Sequence, residues 1–358
     1  MPYKGVIDLE TKILKISDIE KDYKAIEAGA SLIRRGELVA FPTETVYGLG
    51  ANALDAKAVE KIYEAKGRPG DNPLIVHIAD FDAVRPLVEE LPEKAEKLME
   101  AFWPGPLTLI LKKSSIVPDR TTGGLNTVAI RMPNNPVALA LIRESRVPIA
   151  APSANRSGRP SPTEAHHVAE DLMGRIPMIL DGGPCSVGVE STVLDITGEI
   201  PNILRPGGIT PRMLEQVVGR VKIDAGVLRP VKKGEKVKSP GMKYTHYAPK
   251  ASVVIVKGKV DKITDKIIEM TDEEVKKGNH VGILATVETV HCYTQGQVIC
   301  LGSRKKPETL AANLFSALRK FDDLGVDIVF AEWIEEKEEG LAVMNRMLRA
   351  AGFQVVEA

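Results

Sequence analysis

Cysteine is scarce in this sequence. The 358 residues include 3 cysteines, Cys185, Cys292 and Cys300, without CxxC spacing. An odd number of scattered cysteines fits neither a disulfide framework nor a zinc site. We therefore expect a cytoplasmic protein, kept in a reducing compartment.

Aromatic residues and net charge are sparse as well, and both absences bear on nucleic acid. Phe, Trp and Tyr make up 4% of the residues, and 48 Lys and Arg balance 48 Asp and Glu to a formal net charge of +0. The composition therefore argues against a broad base-stacking platform and gives no global positive field. We expect no strong direct binding of nucleic acid, and any anion site must be local.

Long apolar runs are missing too. The N-terminal residues 1–19 mix charged side chains among the apolar ones, and no uninterrupted apolar run approaches the thickness of a bilayer. Neither export nor a membrane partner is therefore expected.

The length of the chain predicts two domains, because 358 residues exceed what one hydrophobic core usually organises. In the first part, short apolar runs that mostly end in Pro/Gly loops predict strands at 37–41, 73–78, 107–111, 127–132 and 147–151. Helical patterns lie between them at 56–66, 84–90 and 92–102. This alternation is typical of an α/β domain with a mixed sheet.

A basic stretch at 212–250 separates this part from a second alternating pattern. Strand-like runs at 251–256, 280–286, 297–301 and 326–333 alternate with helical patterns at 261–277, 307–323 and 339–351. They predict a small doubly wound domain. The predicted boundaries are 1–216 for the first domain, 217–250 for a basic linker and 251–358 for the second domain.

Two loops carry residues suited to oxyanions. In the first, Lys66, Arg68 and Asn72 stand among Gly and Pro residues that expose the backbone. The same spelling also fits a helix that ends at Lys66, with Gly67 as its C-cap. In the second loop, Ser153 and Asn155 follow an apolar strand and could donate to phosphate oxygens, although turn chemistry alone also selects such residues.

Ionisable residues within predicted strands have two interpretations each. Alternation along 127–132 places Thr127 and Arg131 opposite the apolar side chains, so Arg131 is either a ligand-binding cation or half of a structural ion pair. His77 points away from the apolar stripe of its strand, where a hydrogen-bonded structural role is the commoner one. His166 and His167 lie on a predicted helix without a third ligand at metal spacing.

Two further segments are unusually polar or aromatic. Residues 41–50 end a strand in hydroxyls and Glu44 before a glycine pair, which indicates either a polar pocket or a turn or capped helix start. Residues 239–249 bring ring-bearing side chains into the basic linker. They either pack between the domains or close over a nucleotide as a lid.

Taken together, these segments resemble the two-domain threonylcarbamoyl-AMP synthases, in which a YrdC-like domain precedes a small Rossmann-like domain. The resemblance rests on residues 41–50, 66–78, 127–133, 151–158, 181–183, 189–193 and 204–207, and extends through 239–249 to Asn345-Arg346. The family's lysine-x-arginine and serine-x-asparagine tetrad is matched by Lys66, Arg68, Ser153 and Asn155.

The resemblance implies synthesis of L-threonylcarbamoyladenylate and pyrophosphate from L-threonine, bicarbonate or CO2, and ATP with Mg2+. It implies that the product passes to a separate tRNA-modifying transferase complex. The residues implied to border threonine are Thr43, His77, Arg131, Ala151 and Ser191. Those implied to contact ATP are Arg68, Asn72, Thr127, Ser153, Ser161, Arg205 and Tyr247. Glu44 and Glu190 are conceivable outer ligands of Mg2+, and the metal ligands stay unassigned.

Two alternatives keep the fold and change the function. A double-stranded RNA-binding or ribosome-associated protein could use the same basic cavity and would show salt-sensitive affinity for RNA. Neutral net charge and few aromatics disfavour it. A carbamoyltransferase like the hydrogenase-maturation factors would need zinc-finger cysteines, for which three scattered cysteines leave no room.

Overall fold

Two β-sheets organise the chain. The computed structural model describes residues 9–67, 70, 72–229 and 247–358. Within these ranges one sheet has 11 strands and the other has 5. The expected α/β class, a mixed sheet followed by a doubly wound domain, is confirmed.

The first sheet and its helices lie between residues 12 and 227. The strands are β1 (Lys12–Lys15), β2 (Val39–Phe41), β3 (Gly48–Asn52), β4 (Ile75–His77), β5 (Leu107–Lys112), β6 (Thr127–Arg131), β7 (Ile149–Ala151), β8 (Met178–Asp181), β9 (Thr192–Asp195), β10 (Asn202–Arg205) and β11 (Lys222–Ile223). The α-helices are α1 (Tyr23–Arg34), α2 (Ala56–Lys66), α3 (Glu93–Phe102), α4 (Asp119–Thr122), α5 (Pro136–Ser145), α6 (Ala165–Leu172) and α7 (Pro211–Val218). Short 3-10 helices span Phe81–Leu87 and Ala225–Val227.

The first sheet is mixed, with the strand order β1-β8-β2-β3-β7-β4-β6-β5-β9-β10-β11. At its centre, β4 runs parallel to β6 and antiparallel to β7. Next to them, β5 runs antiparallel to β6 and parallel to β9. Because these neighbouring strands come from distant parts of the chain, residues far apart in the sequence meet on one face of the sheet.

The two faces of the central strands are covered differently. On one face, alternate residues such as Val76, Ile130 and Ala150 belong to the largest hydrophobic cluster. On the other face, α1 and α5 pack over β2 and β7 in a second cluster. The remaining stretch of that face carries Ile75 and Ala129, which belong to a small apolar patch. This stretch is the floor on which the polar site stands.

The strand β3 was not predicted, because the glycine pair Gly48 and Gly50 is also typical of a turn or a capped helix start. Its backbone crosses closely over neighbouring side chains. A Cβ at Gly50 would lie 2.8 Å from Ile149 Cγ2 and 2.8 Å from Phe41 Cε1. Glycine lowers strand propensity, and here it is required because an aromatic ring occupies the space of a side chain.

The second sheet and its helices comprise β12 (Ser252–Lys257), α8 (Val260–Lys276), β13 (Val281–Ala285), a 3-10 turn at Val290–Cys292, β14 (Gln297–Cys300), α9 (Pro307–Leu324), β15 (Ile328–Glu332), α10 (Glu339–Ala350) and β16 (Val355–Glu357). This sheet is entirely parallel, with the strand order β14-β13-β15-β12-β16. One face packs on α8, and the other packs on α9 and α10. This is the doubly wound arrangement expected from the sequence.

The helices α9 and α10 face the first sheet. Arg319 of α9 donates to Pro160 O at 2.6 Å and to Asp171 Oδ2 at 2.7 Å. Val46 and Val189, from loops of the first sheet, belong to the same hydrophobic cluster as these helices. The two sheets therefore share a buried interface that is both apolar and ionic.

The predicted domain boundaries stay a prediction. Residues assigned to the linker include β11, which pairs in parallel with β10. Most of the proposed lid, residues 239–249, lies outside the described residues, and Tyr247 is its first described member.

Bilayer-spanning helices were also not expected. Among the helices that the structure describes, none combines the length and the apolar character needed to cross a membrane.

The interface between the sheets depends on a close backbone approach at Gly188. This glycine has φ +77°, and an added Cβ would lie 2.4 Å from Ala312 Cα of α9. Gly278 has a similar φ of +87° but no atom within 4 Å of such a Cβ. Gly278→Ala should cost only the left-handed backbone penalty of about 1–2 kcal/mol. We expect Gly188→Ala to lose about 1–3 kcal/mol more in urea unfolding, because it must also push α9 away.

Equal losses for Gly188→Ala and Gly278→Ala would show that the close approach contributes nothing to stability. Limited proteolysis of the folded variants should also show faster cleavage for Gly188→Ala, since its substitution loosens the contact between the two sheets.

Candidate active site

Most of the predicted site residues line one cavity at the central strands of the first sheet. The cavity holds about 650 Å³ of space, counting its open mouth. Its lining comprises Thr43, Thr45, Val46, Gly48, Ile75, His77, Arg131, Ala151, Pro152, Ser153, Asn155, Glu190, Ser191, Arg205 and Tyr247. All five residues implied to border threonine are among them.

Five of the predicted residues are not part of this lining. Arg68 lies outside the described residues. Lys66 is buried behind the cavity wall, Thr127 is partly buried, and Ser161 and Asn72 are buried. Asn72 is 1% exposed, and neither its Oδ1 nor its Nδ2 has a hydrogen-bond partner among the described residues.

Lys66 is the last residue of α2, and its contact with an oxyanion stays a prediction. Gly67 has φ +62° and caps α2, so the helix ends as the structural interpretation predicted. The Lys66 ammonium nevertheless donates to Ser153 O and, at 2.5 Å, to Asn155 O. The Ser153 hydroxyl in turn donates to Asn155 Oδ1 at 2.5 Å. Lys66 therefore fixes the shape of the Ser-x-Asn loop from behind.

Arg131 is the last residue of β6, lines the cavity and is 3% exposed. Its Nε donates to Gly105 O at 3.2 Å and its Nη1 to Thr45 Oγ1 at 2.9 Å. Its Nη2 lies 2.6 Å from Glu44 Oε1, as an ion pair. Neither Nη2 nor either Glu44 oxygen has a hydrogen-bond partner among the described residues. The two groups therefore form an ion pair without an aligned hydrogen bond. Arg131 is therefore half of an ion pair, as one interpretation of the sequence predicted, and its role as a ligand-binding cation stays a prediction.

His77 lies beside Arg131 in the register of β4 and β6. Its Nδ1 lies 3.1 Å from Ile75 O, so the ring donates there and leaves Nε2 as an acceptor. Burial, with the nearby Arg131 cation, lowers the pKa of His77 to about 3. The imidazole is therefore neutral at physiological pH and acts as a hydrogen-bonding group.

Thr43 and Thr45 shape the loop between β2 and β3. The Thr43 hydroxyl accepts from the backbone N–H groups of Thr45 and Val46 and donates to Val46 O at 2.6 Å. Thr45, which the sequence analysis did not single out, holds Arg131. The run of hydroxyls in residues 41–50 was the signal for it, and this run lines the cavity as one interpretation predicted.

Ser191 and Arg205 form the opposite wall, where β9 begins and β10 ends. The Arg205 guanidinium donates to Ser191 O and to Ser191 Oγ, each at 3.1 Å. Thr108 Oγ1 lies 2.8 Å from Ser191 Oγ. Burial lowers the pKa of Arg205 to about 10, partly offset by the nearby Glu190 carboxylate.

Glu190 is the only acidic side chain among the described lining residues. One carboxylate oxygen accepts from Ser161 Oγ at 2.6 Å, and the other accepts from Arg346 Nε at 2.8 Å. Burial alone would raise the pKa of Glu190, but Arg346, Arg205 and Ser161 outweigh it and hold the pKa at about 2. Arg346 comes from α10, and sequence reasoning gave it no part in the site.

A group of potential metal ligands lies away from the cavity, at the start of α6. The carboxylate of Glu164 is a third potential ligand, which was not predicted from the sequence. The potential ligand atoms of Glu164, His166 and His167 all lie within 4.8 Å of one another. The surroundings are cationic. Burial and the Arg319 guanidinium lower the pKa of His167 to about 3. Its Nδ1 accepts from the Thr163 N–H at 3.3 Å, so the packing role assigned to His167 is consistent with its contacts.

The fold and this cavity define a mixed α/β protein of two sheets, with a cavity whose lining includes two buried arginines. Two family descriptions match the chain: "Telomere recombination" over residues 31–207, and "Threonylcarbamoyl-AMP synthase, C-terminal domain" over residues 209–352. The chain belongs to the threonylcarbamoyl-AMP synthase family, as the resemblance implied. The RNA-binding alternative is not favoured.

Individual relatives agree along nearly the whole chain. The threonylcarbamoyl-AMP synthase of Pyrococcus abyssi is 51% identical over 347 residues, covering 97% of this chain and 99% of the relative. The Bacillus subtilis synthase is 54% identical over 332 residues, covering 92% and 94%. The crystal structure of P. abyssi Sua5 complexed with L-threonine has a TM-score of 0.91 at 50% identity, covering 97% of this chain and 99% of that one.

The buried His77 should make stability depend on pH. Its pKa falls from 6.5 to about 3 on folding, so below pH 6.5 the unfolded chain binds a proton that the folded one does not. Its stabilising contribution is present above pH 6.5 and is lost as the pH falls toward 3, at up to about 1.4 kcal/mol per pH unit.

His77→Gln should therefore flatten the dependence of the free energy of unfolding on pH between 6 and 4, measured by urea titration. His167→Gln should flatten it similarly, since burial also lowers that pKa to about 3. A slope identical to that of the unmodified protein in His77→Gln would contradict the assignment of a neutral, buried imidazole.

Proposed function

We propose that this cavity is where L-threonine, bicarbonate or CO2, and ATP combine to form threonylcarbamoyl-AMP and pyrophosphate. The observation that carries the proposal is Arg131, a buried cation that lines the cavity and whose Nη2 lacks an aligned hydrogen bond among the described residues. Such a group is suited to a carboxylate, and the structurally similar P. abyssi protein is complexed with L-threonine.

The threonine end of the cavity would be built around Arg131. The Arg131 guanidinium would bind the carboxylate of the amino acid and keep its ion pair with Glu44. Neither carboxylate would then be left without a counter-ion. The neutral His77 offers an acceptor at Nε2 for a hydroxyl or amine N–H. Thr43 and Ser191 supply hydroxyls, and the small Ala151 leaves room for the substrate.

The nucleotide end would be built around Arg205, Ser153 and Tyr247, which also line the cavity. Arg68, Asn72 and Thr127 are proposed ATP contacts through the resemblance. The buried amide of Asn72, unpartnered among the described residues, supports this role. Lys66 and Asn155 would act by holding the Ser153 loop.

Ser161 is a special case among the proposed ATP contacts. Its side chain is 0% exposed and donates to Glu190. We therefore propose that Ser161 acts on the nucleotide through the orientation of that carboxylate.

The reaction that this arrangement supports needs no side-chain nucleophile. The neutral threonine amine adds to CO2, giving a carbamate and releasing a proton. When bicarbonate is the source, it first gives up hydroxide to become CO2. A carbamate oxygen then attacks the α-phosphorus of ATP, the bond from that phosphorus to the bridging oxygen breaks, and pyrophosphate leaves.

The cavity would accelerate this reaction by positioning and by electrostatics. His77 and Glu190 have pKa values of about 3 and 2, and Arg205 has a pKa of about 10. Burial raises the pKa of Tyr247 above its ordinary value. These four groups therefore keep their charge states across neutral pH, and the arginines stabilise the negative charge of the carbamate and triphosphate.

We propose that Mg2+ enters with the triphosphate of ATP. The two carboxylates considered as ligands fit the ion poorly. Both Glu190 oxygens already accept hydrogen bonds, and Glu44 lies against Arg131. Phosphate oxygens and water suit the ion better than either side chain.

We further propose that the adenylate passes to a separate tRNA-modifying transferase complex in the cytoplasm. The formal net charge of +0 and the 4% aromatic content support this division of labour, because they give the chain no broad surface for RNA. The proposed pathway requires no membrane.

The function is tested by incubating the protein with ATP, Mg2+, bicarbonate and L-threonine. We expect pyrophosphate release together with a product of the mass of threonylcarbamoyl-AMP, and loss of both when threonine or bicarbonate is omitted. Pyrophosphate release that is indifferent to threonine would overturn the proposal.

The two ends of the cavity should respond to different substitutions. Arg131→Met should raise KM for L-threonine about 10- to 150-fold, the range expected when a charged hydrogen bond of about 1.5–3 kcal/mol is lost. Arg205→Met should raise KM for ATP by a similar factor. Arg212→Met, at an exposed position of α7, is the matched control and should change neither. Equal effects of Arg131→Met on both KM values would contradict the assignment of the two ends.

A further inference from the structure

Glu190 lies between two arginines that come from different sheets. Arg205, at the end of β10, lines the cavity beside it. Arg346, on α10, reaches Glu190 from the second sheet. All three side chains are buried, with exposures of 6%, 6% and 0%. A buried carboxylate in such a place must be neutralised by one of these cations.

Arg346 donates hydrogen bonds to both segments of the wall that Ser191 and Arg205 form. Its Nε and Nη2 donate to Glu190 Oε2 at 2.8 Å and to Glu190 O at 3.1 Å. Its Nη1 donates to Pro206 O at 2.7 Å. Glu190 precedes Ser191 in the chain, and Pro206 follows Arg205. One guanidinium of the second sheet therefore fixes the backbone on either side of the two residues that form the wall.

The hydrogen bonds of Arg205 and those of Glu190 go to different partners. Arg205 donates to the backbone and hydroxyl of Ser191, and Glu190 takes its hydrogen bonds from Ser161 and Arg346. If Arg346 were removed, the carboxylate would keep only a neutral hydroxyl as a partner. The nearest remaining cation would then be Arg205, which Glu190 would draw away from the cavity.

We propose that Arg346 is a positioning residue for ATP: by neutralising Glu190, it leaves Arg205 free to bind the triphosphate. The second domain would thereby complete the nucleotide end of the site. This inference rests on the proposed function, because it assumes that Arg205 faces ATP. Arg346 itself does not line the cavity and is assigned no contact with substrate.

The test compares Arg346→Met, Glu190→Gln and the double variant, with ATP binding measured by calorimetry in the presence of Mg2+. We expect Arg346→Met to weaken ATP binding about 10- to 100-fold and to change KM for threonine less than about 3-fold. The double variant should return ATP binding to within about 5-fold of the unmodified protein, because no buried carboxylate is left to capture Arg205.

Arg319→Met is the matched control. Arg319 is likewise a buried arginine of the second sheet, 3% exposed, that reaches across to the first. Its contacts are with Pro160, Glu170 and Asp171, none of which lines the cavity. It should lower the melting temperature while leaving ATP affinity unchanged. Equal loss of ATP affinity in Arg319→Met and Arg346→Met would reduce Arg346 to an interface residue and overturn the proposal, as would a double variant as weak as Arg346→Met.

Calorimetry keeps the two hypotheses separable. If the unmodified protein binds ATP but releases no threonine-dependent pyrophosphate, the proposed function fails while the effect of Arg346 on nucleotide binding is still measured. If Arg346→Met does not fold, Arg346→Lys keeps the charge with fewer donors, and the double variant still reports whether removing the carboxylate restores ATP affinity.

Discussion

The ion pair between Glu190 and Arg346 is the contact on which the arrangement of the site depends. Glu190 is 6% exposed and Arg346 0%, so both charges are removed from water, and each has the other as a hydrogen-bonded counter-ion. Because the partners come from different sheets, neutralising this charge requires the second sheet to be docked. The docked helix then holds the ends of β9 and β10, and with them Ser191 and Arg205. A structural requirement of the interface thus determines the shape of the cavity wall.

The same principle of pre-paired charge governs the other side of the cavity. Arg131 is held by Gly105 and Thr45 and faces Glu44, so its guanidinium is oriented before any ligand arrives. The Lys66 ammonium likewise donates to two backbone carbonyls of the Ser153 loop. Orientation of donors in advance lowers the reorganisation that a reaction would need, which suits a site without a side-chain nucleophile. Burial of these charges is costly, and their mutual pairing makes it tolerable.

Much of the secondary structure was predictable, because strong local patterns determine it. The helix at 56–66 was placed to the residue, from its apolar spacing and the glycine that follows. Four of the five strands of the second sheet were also predicted from alternation and flanking turns, and β16 was not. In the first sheet β1, β8, β9, β10 and β11 were not predicted, nor was β3, where glycines lower the strand signal. They are needed because the ring of Phe41 occupies the space of a side chain at Gly50, and no local pattern reveals a neighbour from another strand.

By itself, the sequence determined the two-domain α/β class, the family, and most of the residues that line the cavity. Those features are carried by local periodicity and by the spelling of short loops. Only the tertiary structure decided which charges neutralise one another: Glu190 and Arg346 are 156 residues apart, and Arg131 and Thr45 are 86 apart. Partners at such distances are chosen by how sheets and helices pack in space, and local propensity carries no information about that choice. The contacts of Arg346 with the cavity wall therefore follow from how α10 packs against that wall, and not from the local sequence.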